Sequence, residues 1–301
     1  MTTKKPTTKA GFVAILGAPN AGKSTLLNRL VGQKVSIVSP KAQTTRMRIL
    51  GVLTEGKIQI GFIDTPGIFA PKRRLDSAMV NAAWRSLEGA DVVLLLVDAS
   101  ARQPDEKTEN IIAELKKRKQ KVTLVLNKID KIELANLLPL AAQFNESGIV
   151  SDTFMISALG GDGLDDLKKH FMDKMPHGPW LFPEDQLSDL PERLLAAEVT
   201  REQIYRQLQQ ELPYAATVVP DAWENKKDGS FVIRQTIIVA RQGHKPIVLG
   251  KAGARIKSIG QASRREIEKL LGHPVHLFLE VKVDEKWQER PEFYQMFGLE
   301  F

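Results

Sequence analysis

Gly17-Ala-Pro-Asn-Ala-Gly22-Lys23-Ser24 follows the apolar run Phe12-Val-Ala-Ile-Leu16 and precedes Thr25-Leu-Leu-Asn-Arg-Leu-Val31. The eight residues fit G-x-x-x-x-G-K-[ST], and they sit where that pattern has chemistry, between a strand and a helix. The glycines let backbone N–H groups turn inward around a phosphate, and the helix N-terminus adds its dipole. Lys23 is placed to bridge two phosphate groups, and Ser24 to bind Mg²⁺. Average composition produces the pattern by chance in on the order of one chain in a hundred of this length. The nucleotide-binding set around the loop is Gly17, Ala18, Pro19, Asn20, Ala21, Gly22, Lys23, Ser24 and Thr25.

Outward from this loop, short apolar runs alternate with helical stretches. The runs are 12–17, 58–63, 92–97, 122–126 and 153–156. Helices are expected near 23–31, 75–88, 105–119, 133–144 and 163–174. Continuous apolar strands flanked by helices belong to a mostly parallel sheet covered on both faces. Residues 48–54 enter the second run through the short Glu55-Gly56 turn, which makes them an antiparallel edge. The expectation is a six-stranded α/β domain over residues 11–175, after a disordered tail over 1–10.

Three further motifs close the later strands. Asp64-Thr65-Pro66-Gly67 follows Ile63; an acid there can reach Mg²⁺ through water, and the Gly67 N–H can meet a terminal phosphate. Asn127-Lys128-Ile129-Asp130 follows Leu126. A carboxylate at Asp130 can accept from N1–H and the 2-amino group of guanine, donors that adenine lacks. Lys128 is placed to lie over the base plane. Ser157-Ala158-Leu159 follows Ile156, where a backbone N–H can meet guanine O6. Each motif is weak alone, but four in this order at strand C-terminal ends are highly specific. They point to GTP and GDP with Mg²⁺.

Pro176-His-Gly-Pro-Trp-Leu-Phe-Pro183 then interrupts the pattern. Residues 176–190 read as a linker, or alternatively as an ordered strap, given Trp180, Leu181 and Phe182. Beyond them come a long amphipathic helix over about 191–210, strands near 216–219 and 231–241, short helices near 250–258 and 261–271, and a strand over 275–283. Residues 244–269 hold seven Lys or Arg and two Glu, a net +5 out of +7 for the whole chain. Such an excess suits a polyanion. At its centre lies Gly250-Lys251-Ala252-Gly253, whose glycines let the backbone approach phosphates while Lys251 adds charge. Ile247, Leu249 and Ile256 are placed to floor a groove for bases; Arg255 and Lys257 extend the basic edge. The order helix-strand-strand-helix-helix-strand around a G-x-x-G loop resembles a type II KH domain, an α+β RNA-binding fold, over 191–283. Residues 284–301 form a tail whose aromatics could stack on bases or pack on the sheet.

Lys41-Ala-Gln-Thr-Thr-Arg46 resembles the first switch of the Era family of bacterial GTPases, and the chain resembles that family along nearly its whole length. The resemblance implies that a threonine closes on Mg²⁺ in the GTP state, Thr45 by alignment on the Thr-Arg pair, with Thr44 the alternative. It assigns catalysis to Lys23, Thr45, Asp64 and Gly67. It implies binding of 16S rRNA near its 3′ end, assistance to small-subunit assembly, and a cytoplasmic location with peripheral contact at the inner membrane. A monomer is expected. Where Ras-like enzymes carry a water-orienting glutamine, this chain has Ile68, an apolar replacement that Era-like enzymes share. Asn20 resembles an asparagine that ligates K⁺ in related GTPases; a hydrogen bond that stabilises the loop is the other reading.

The remaining composition excludes several classes. There are no cysteines, hence no disulfide scaffold, thiolate metal site or cysteine nucleophile. The longest apolar run, 92–97, is far short of the ~20 residues of a membrane span. Two competitors stand: an RNA-binding module holding GDP without turnover, and a GTPase whose basic domain binds anionic lipid.

Overall fold

The structure is a computed structural model that describes residues 7–41, 44–101 and 104–301. Ala42 and Gln43 of the switch motif lie outside the described residues. The chain forms two compact units. One takes the described residues up to Ser36, then Thr45–Asp189 and Phe297–Glu300; the other takes Ile37–Thr44, Leu190–Met296 and Phe301.

The first unit is built on β1 (Lys9–Leu16), β2 (Ile49–Glu55), β3 (Ile58–Asp64), β4 (Val92–Asp98), β5 (Val122–Asn127) and β6 (Val150–Ile156). Their order is β2-β3-β1-β4-β5-β6. Only β2 runs antiparallel, registered on β3 from Ile49↔Asp64 to Glu55↔Ile58. Helices α1 (Lys23–Val31), α2 (Arg74–Arg85), α3 (Glu106–Lys117) and α4 (Leu134–Asn145) connect the strands, and α5 (Leu164–Lys174) follows β6. Burial on both faces explains the unbroken apolar strands: all seven residues of β4 except Asp98 are buried. Strand β1 begins at Lys9, inside the stretch expected to be disordered, because Lys9 and Ala10 are paired with β3 and with the backbone of 176–177. Successive strands join β1 on opposite sides, so the loop after β1 opens at the crevice where α/β sheets bind ligands.

Residues 176–189 lie along the first unit. Ala10 N–H donates to Pro176 O (3.1 Å), and Val52 N–H donates to Leu187 O (2.9 Å). The buried Gln59 carboxamide accepts from the N–H groups of Leu181 (2.8 Å) and Phe182 (2.9 Å) and donates to Phe182 O. Phe182 meets Phe12 edge-on at 6.2 Å.

The second unit contains α6 (Glu192–Gln207), β7 (Ala216–Asn225), β8 (Phe231–Val239), α7 (His244–Leu249), α8 (Ala254–Leu271) and β9 (Val275–Val283), ending in α9 (Pro291–Met296). Its sheet order is β7-β8-β9, with β7 antiparallel and β9 parallel to β8. Two expectations need correction. Helix α8 is continuous through Gly260, where two short helices were expected. A mid-helix glycine costs only about 1 kcal/mol, and the buried positions Ile259, Ser263 and Ile267 repeat every four residues across it. Helix α6 is not amphipathic: Ala196 to Tyr205 are all buried. Its polar side meets Val38 and Thr44 of the same unit. The Glu202 carboxylate accepts from Val38 N–H (3.0 Å), and the Arg201 guanidinium donates to Thr44 O while paired with Glu198. In the tail, Trp287 is fully buried and donates Nε1–H to Ala215 O (3.2 Å), so packing accounts for it.

No helix among the described residues is long and apolar enough to cross a membrane. Phe171 of α5 is fully buried and meets Phe62 of β3 edge-on at 5.8 Å. Phe171→Ala should destabilise the first unit by about 3–5 kcal/mol, read as a lowered urea midpoint by circular dichroism.

Candidate functional site

The phosphate loop spans the end of β1 and the start of α1. Gly22 caps α1 with φ 102°, and a Cβ there would lie 2.3 Å from Asn127 Nδ2. Only glycine permits that approach, and Asn127 uses it: its Nδ2 donates to Ala21 O (2.8 Å) while its Oδ1 accepts from Ala158 N–H (2.9 Å). One carboxamide thus joins the phosphate loop to the loop after β6. Lys23 is buried, and its Nζ donates to Gly17 O (3.0 Å) and Ala18 O (2.9 Å). Burial pushes its ammonium down to about 8, partly opposed by the Asp64 carboxylate. An arriving phosphate would replace those carbonyls with full negative charge and favour the protonated form.

Asp64, at the end of β3, is fully buried. Its Oδ2 accepts from Ser24 Oγ (2.7 Å), Ser36 Oγ (3.0 Å) and Thr45 Oγ1 (3.4 Å). Ser24 and Thr45 hydroxyls lie 2.9 Å apart. Burial pushes the Asp64 carboxyl up, against the Lys23 charge and the three hydroxyls. Its other oxygen, Oδ1, is buried with no hydrogen-bond partner among the described residues. That bare oxygen beside two hydroxyls fits Mg²⁺, which keeps several waters and takes few protein ligands beside phosphate oxygens. Ser24 and Thr45 would hold the ion directly and Asp64 through water. The Thr44 hydroxyl instead turns back to Lys41 O (2.8 Å).

The remaining predicted residues divide by role. Thr65 spends its hydroxyl on Ile15 O (2.9 Å), tying β3 to β1. Pro66 is buried, and Gly67 lies so close to Pro19 that a Cβ would meet its backbone at 3.0 Å. Ile68 is buried in the core with Leu16 and Val97, which explains an alkyl chain at that position. Asn20 is exposed, with φ 67°. Asp130 is exposed, and its Oδ1 accepts from Ser157 Oγ (2.6 Å), which orients the carboxylate. Ala158 is buried and Leu159 exposed. Lys128, with φ 65°, pairs with Asp98. Burial alone would push Asp98 up, but Lys128 and Ser100 hold its carboxyl below the ordinary range.

Sequence reasoning missed Asp98, Ser36 and Asn28. The acid ending the apolar run 92–97 was a legible signal for Asp98. Nothing local marks Ser36, whose partner is 28 residues away.

In the second unit, Gly250 has φ 72°, and a Cβ there would meet Arg255 N at 2.8 Å. Gly253 has φ 77° with open space beyond it, and Ala252 between them has φ 50°. The loop therefore presents bare backbone with Lys251 exposed. Ile247 is 55% exposed, Leu249 and Ile256 are half-buried against the unit's core, and Lys257 is exposed. Arg255 donates Nη1–H to Gln207 O (2.8 Å), so part of its guanidinium closes the end of α6.

These features define a class: a guanine-nucleotide P-loop GTPase joined to a KH domain. Residues 12–128 match the family model described as 50S ribosome-binding GTPase, and residues 211–288 match the KH domain model. The chain is 52% identical to GTPase Era of Brucella suis over 99% of this chain and 96% of the relative. It is 52% identical to GTPase Era of Caulobacter vibrioides over 100% and 99%. A crystal structure of Era with MgGDPNP and nucleotides 1506–1542 of 16S ribosomal RNA superimposes with a TM-score of 0.91 at 45% identity, covering 97% of this chain and 99% of that one. A single-substitution variant of Aquifex aeolicus Era bound to GDP·AlF4⁻ matches equally, with a TM-score of 0.91 at 45% identity over 97% and 99%. The chain belongs to the GTPase Era family.

Asp130→Asn should reverse base preference. A carboxamide donates where the carboxylate accepted, so it opposes the 2-amino group of guanine and suits the 2-oxo group of xanthine. Hydrogen bonds to a charged group are worth about 1.5–3 kcal/mol each, so GTP affinity should fall roughly 100-fold. XTP affinity should rise, and equilibrium binding of fluorescent analogues measures both.

Proposed function

We propose that this chain is a GTP-hydrolysing switch whose KH domain binds 16S rRNA near its 3′ end during assembly of the small ribosomal subunit. It hydrolyses GTP to GDP and phosphate. The observation that carries the RNA reading is the Gly250–Gly253 loop, with bare backbone and exposed Lys251, in the same chain as a guanine site. The related Era structure holding 16S rRNA supports the choice of ligand.

Hydrolysis asks little covalent chemistry of the protein. Lys23 neutralises charge on the bridging and terminal phosphates. Ser24, Thr45 and Asp64 would hold Mg²⁺, which would offset negative charge on the transferring phosphoryl group. Gly67 N–H contributes a hydrogen bond to the terminal phosphate. Asn127 keeps the guanine end and the phosphate end in register, so that binding energy from the base positions the reacting bond. The γ-phosphate shifts RNA affinity only by contacts that differ between the GTP and GDP arrangements.

Ile68 offers no polar atom to orient water. To K⁺ at the exposed Asn20 we assign the charge that an arginine finger supplies in other GTPases. Turnover should then be several-fold faster in K⁺ than in Na⁺ buffer and lose that difference in Asn20→Ala. Equal wild-type rates in the two salts would remove the ion from the mechanism.

We place the protein in the cytoplasm, on the ribosome, with its basic surface turned to RNA in preference to anionic lipid. Lys251→Ala should weaken binding to single-stranded RNA carrying the 3′-terminal nucleotides of 16S rRNA. It should also lower the log-log salt slope by about 0.7, the value for one phosphate contact on a single strand. Crosslinking in cells should lose its peak there. An unchanged slope, with vesicles of anionic lipid competing away the RNA, would transfer the basic surface to a membrane.

A further inference from the structure

Asp64 Oδ2 takes three hydroxyl donors, and two of them have another task. Ser24 and Thr45 are the residues placed to ligate Mg²⁺, so their hydroxyls would answer to the ion as well as to Asp64. Ser36 is the third donor. It lies 3.0 Å from Oδ2 and is fully buried. Its backbone is clamped to α1 by the Asn28 side chain. Asn28 Oδ1 accepts from Val35 N–H (2.8 Å) and Ser36 N–H (2.9 Å), and Asn28 Nδ2 donates to Ser36 O (2.8 Å). Asn28 stands one helical turn beyond Ser24 on the same helix. The donor is therefore fixed to the element that carries the phosphate loop. Oδ1, opposite, is buried and has no partner among the described residues.

We infer that Ser36 is a positioning residue for the Mg²⁺ site: its hydroxyl, held by the Asn28 clamp, locks Oδ2 so that Oδ1 stays turned toward the hydration shell of the ion. The inference rests on the Mg²⁺ reading of Ser24, Thr45 and Asp64. Ser36 touches neither nucleotide nor metal in this arrangement. Removing it leaves Oδ2 short of a donor and lets the carboxylate rotate, because a hydrogen bond to a charged acceptor is among the stronger ones. The effect should fall on metal affinity and leave the phosphate and guanine contacts intact.

The test is retention of a fluorescent N-methylanthraniloyl GDP by the full chain, titrated with Mg²⁺, for wild type and Ser36→Ala. In EDTA the two should bind the nucleotide with the same Kd. The Mg²⁺ concentration at half-maximal retention should rise roughly tenfold in the variant, equivalent to about 1.4 kcal/mol. At saturating Mg²⁺ its GTP turnover should return to near the wild-type rate. An unchanged Mg²⁺ midpoint overturns the inference. An equal loss of affinity in EDTA overturns it too, because the serine would then support the fold of the loop and not the carboxylate. Wild-type retention that ignores Mg²⁺ would sink the metal reading on which the inference stands.

Discussion

The Asn127 carboxamide makes one hydrogen bond to Ala21 O and one to Ala158 N–H, and the nucleotide site is assembled across those two bonds. The phosphate loop follows β1, and the loops we propose for base recognition follow β5 and β6. Nothing in the chain order brings them together; parallel pairing of β1 with β4, β4 with β5 and β5 with β6 does. The carboxamide then sets the spacing between them. Its approach requires Gly22, since any Cβ there would collide with Nδ2. A buried side chain that both donates and accepts is costly to misplace, because each lost partner leaves a desolvated polar group.

The acidic end of the site follows the same logic with charge added. Asp64 is buried among hydroxyls, with Lys23 as the nearby cation. A metal ion entering beside this buried carboxylate meets less dielectric screening than it would in water. The Ser24 and Thr45 hydroxyls already converge on one carboxylate oxygen, so the ligand set is largely arranged before the ion enters.

In the second unit, charge is buried where a surface helix would keep it in water. Glu198, Arg201 and Glu202 of α6 are all at most 4% exposed. A buried ion pair repays its desolvation only with good geometry and further hydrogen bonds. Arg201 has two such bonds to Glu198 and one to Thr44 O, and Glu202 holds Val38 N–H. Burial, the largest influence, pulls the Arg201 pKa down, but the Glu198 charge and hydrogen bonds together with Tyr205 raise it above the ordinary arginine value. The polar residues of this helix were legible, but their burial was not, because Thr44 and Val38 lie 157 and 164 residues away from their partners along the chain.

Sequence by itself determined the elements and the chemistry that depends on local order. Apolar runs marked the strands, their continuity marked a sheet covered on both faces, and motifs at strand ends marked the residues we propose for phosphate, metal and base. The edge strand over 49–55 was readable from one short turn, and the G-x-x-G loop from two glycines whose positive φ the backbone requires. Tertiary structure alone decided what depends on groups distant in the chain. It chose the Thr45 hydroxyl over that of Thr44 for the Asp64 cluster, because Thr44 closes its own turn on Lys41. It brought Ser36 to Asp64 and Asp98 to Lys128. It carried α8 through Gly260 because the buried stripe on either side stabilises one helix by more than the glycine costs. Periodicity reports how a segment folds on itself; which polar groups meet inside the protein depends on strand order and burial, and neither is a local property of the chain.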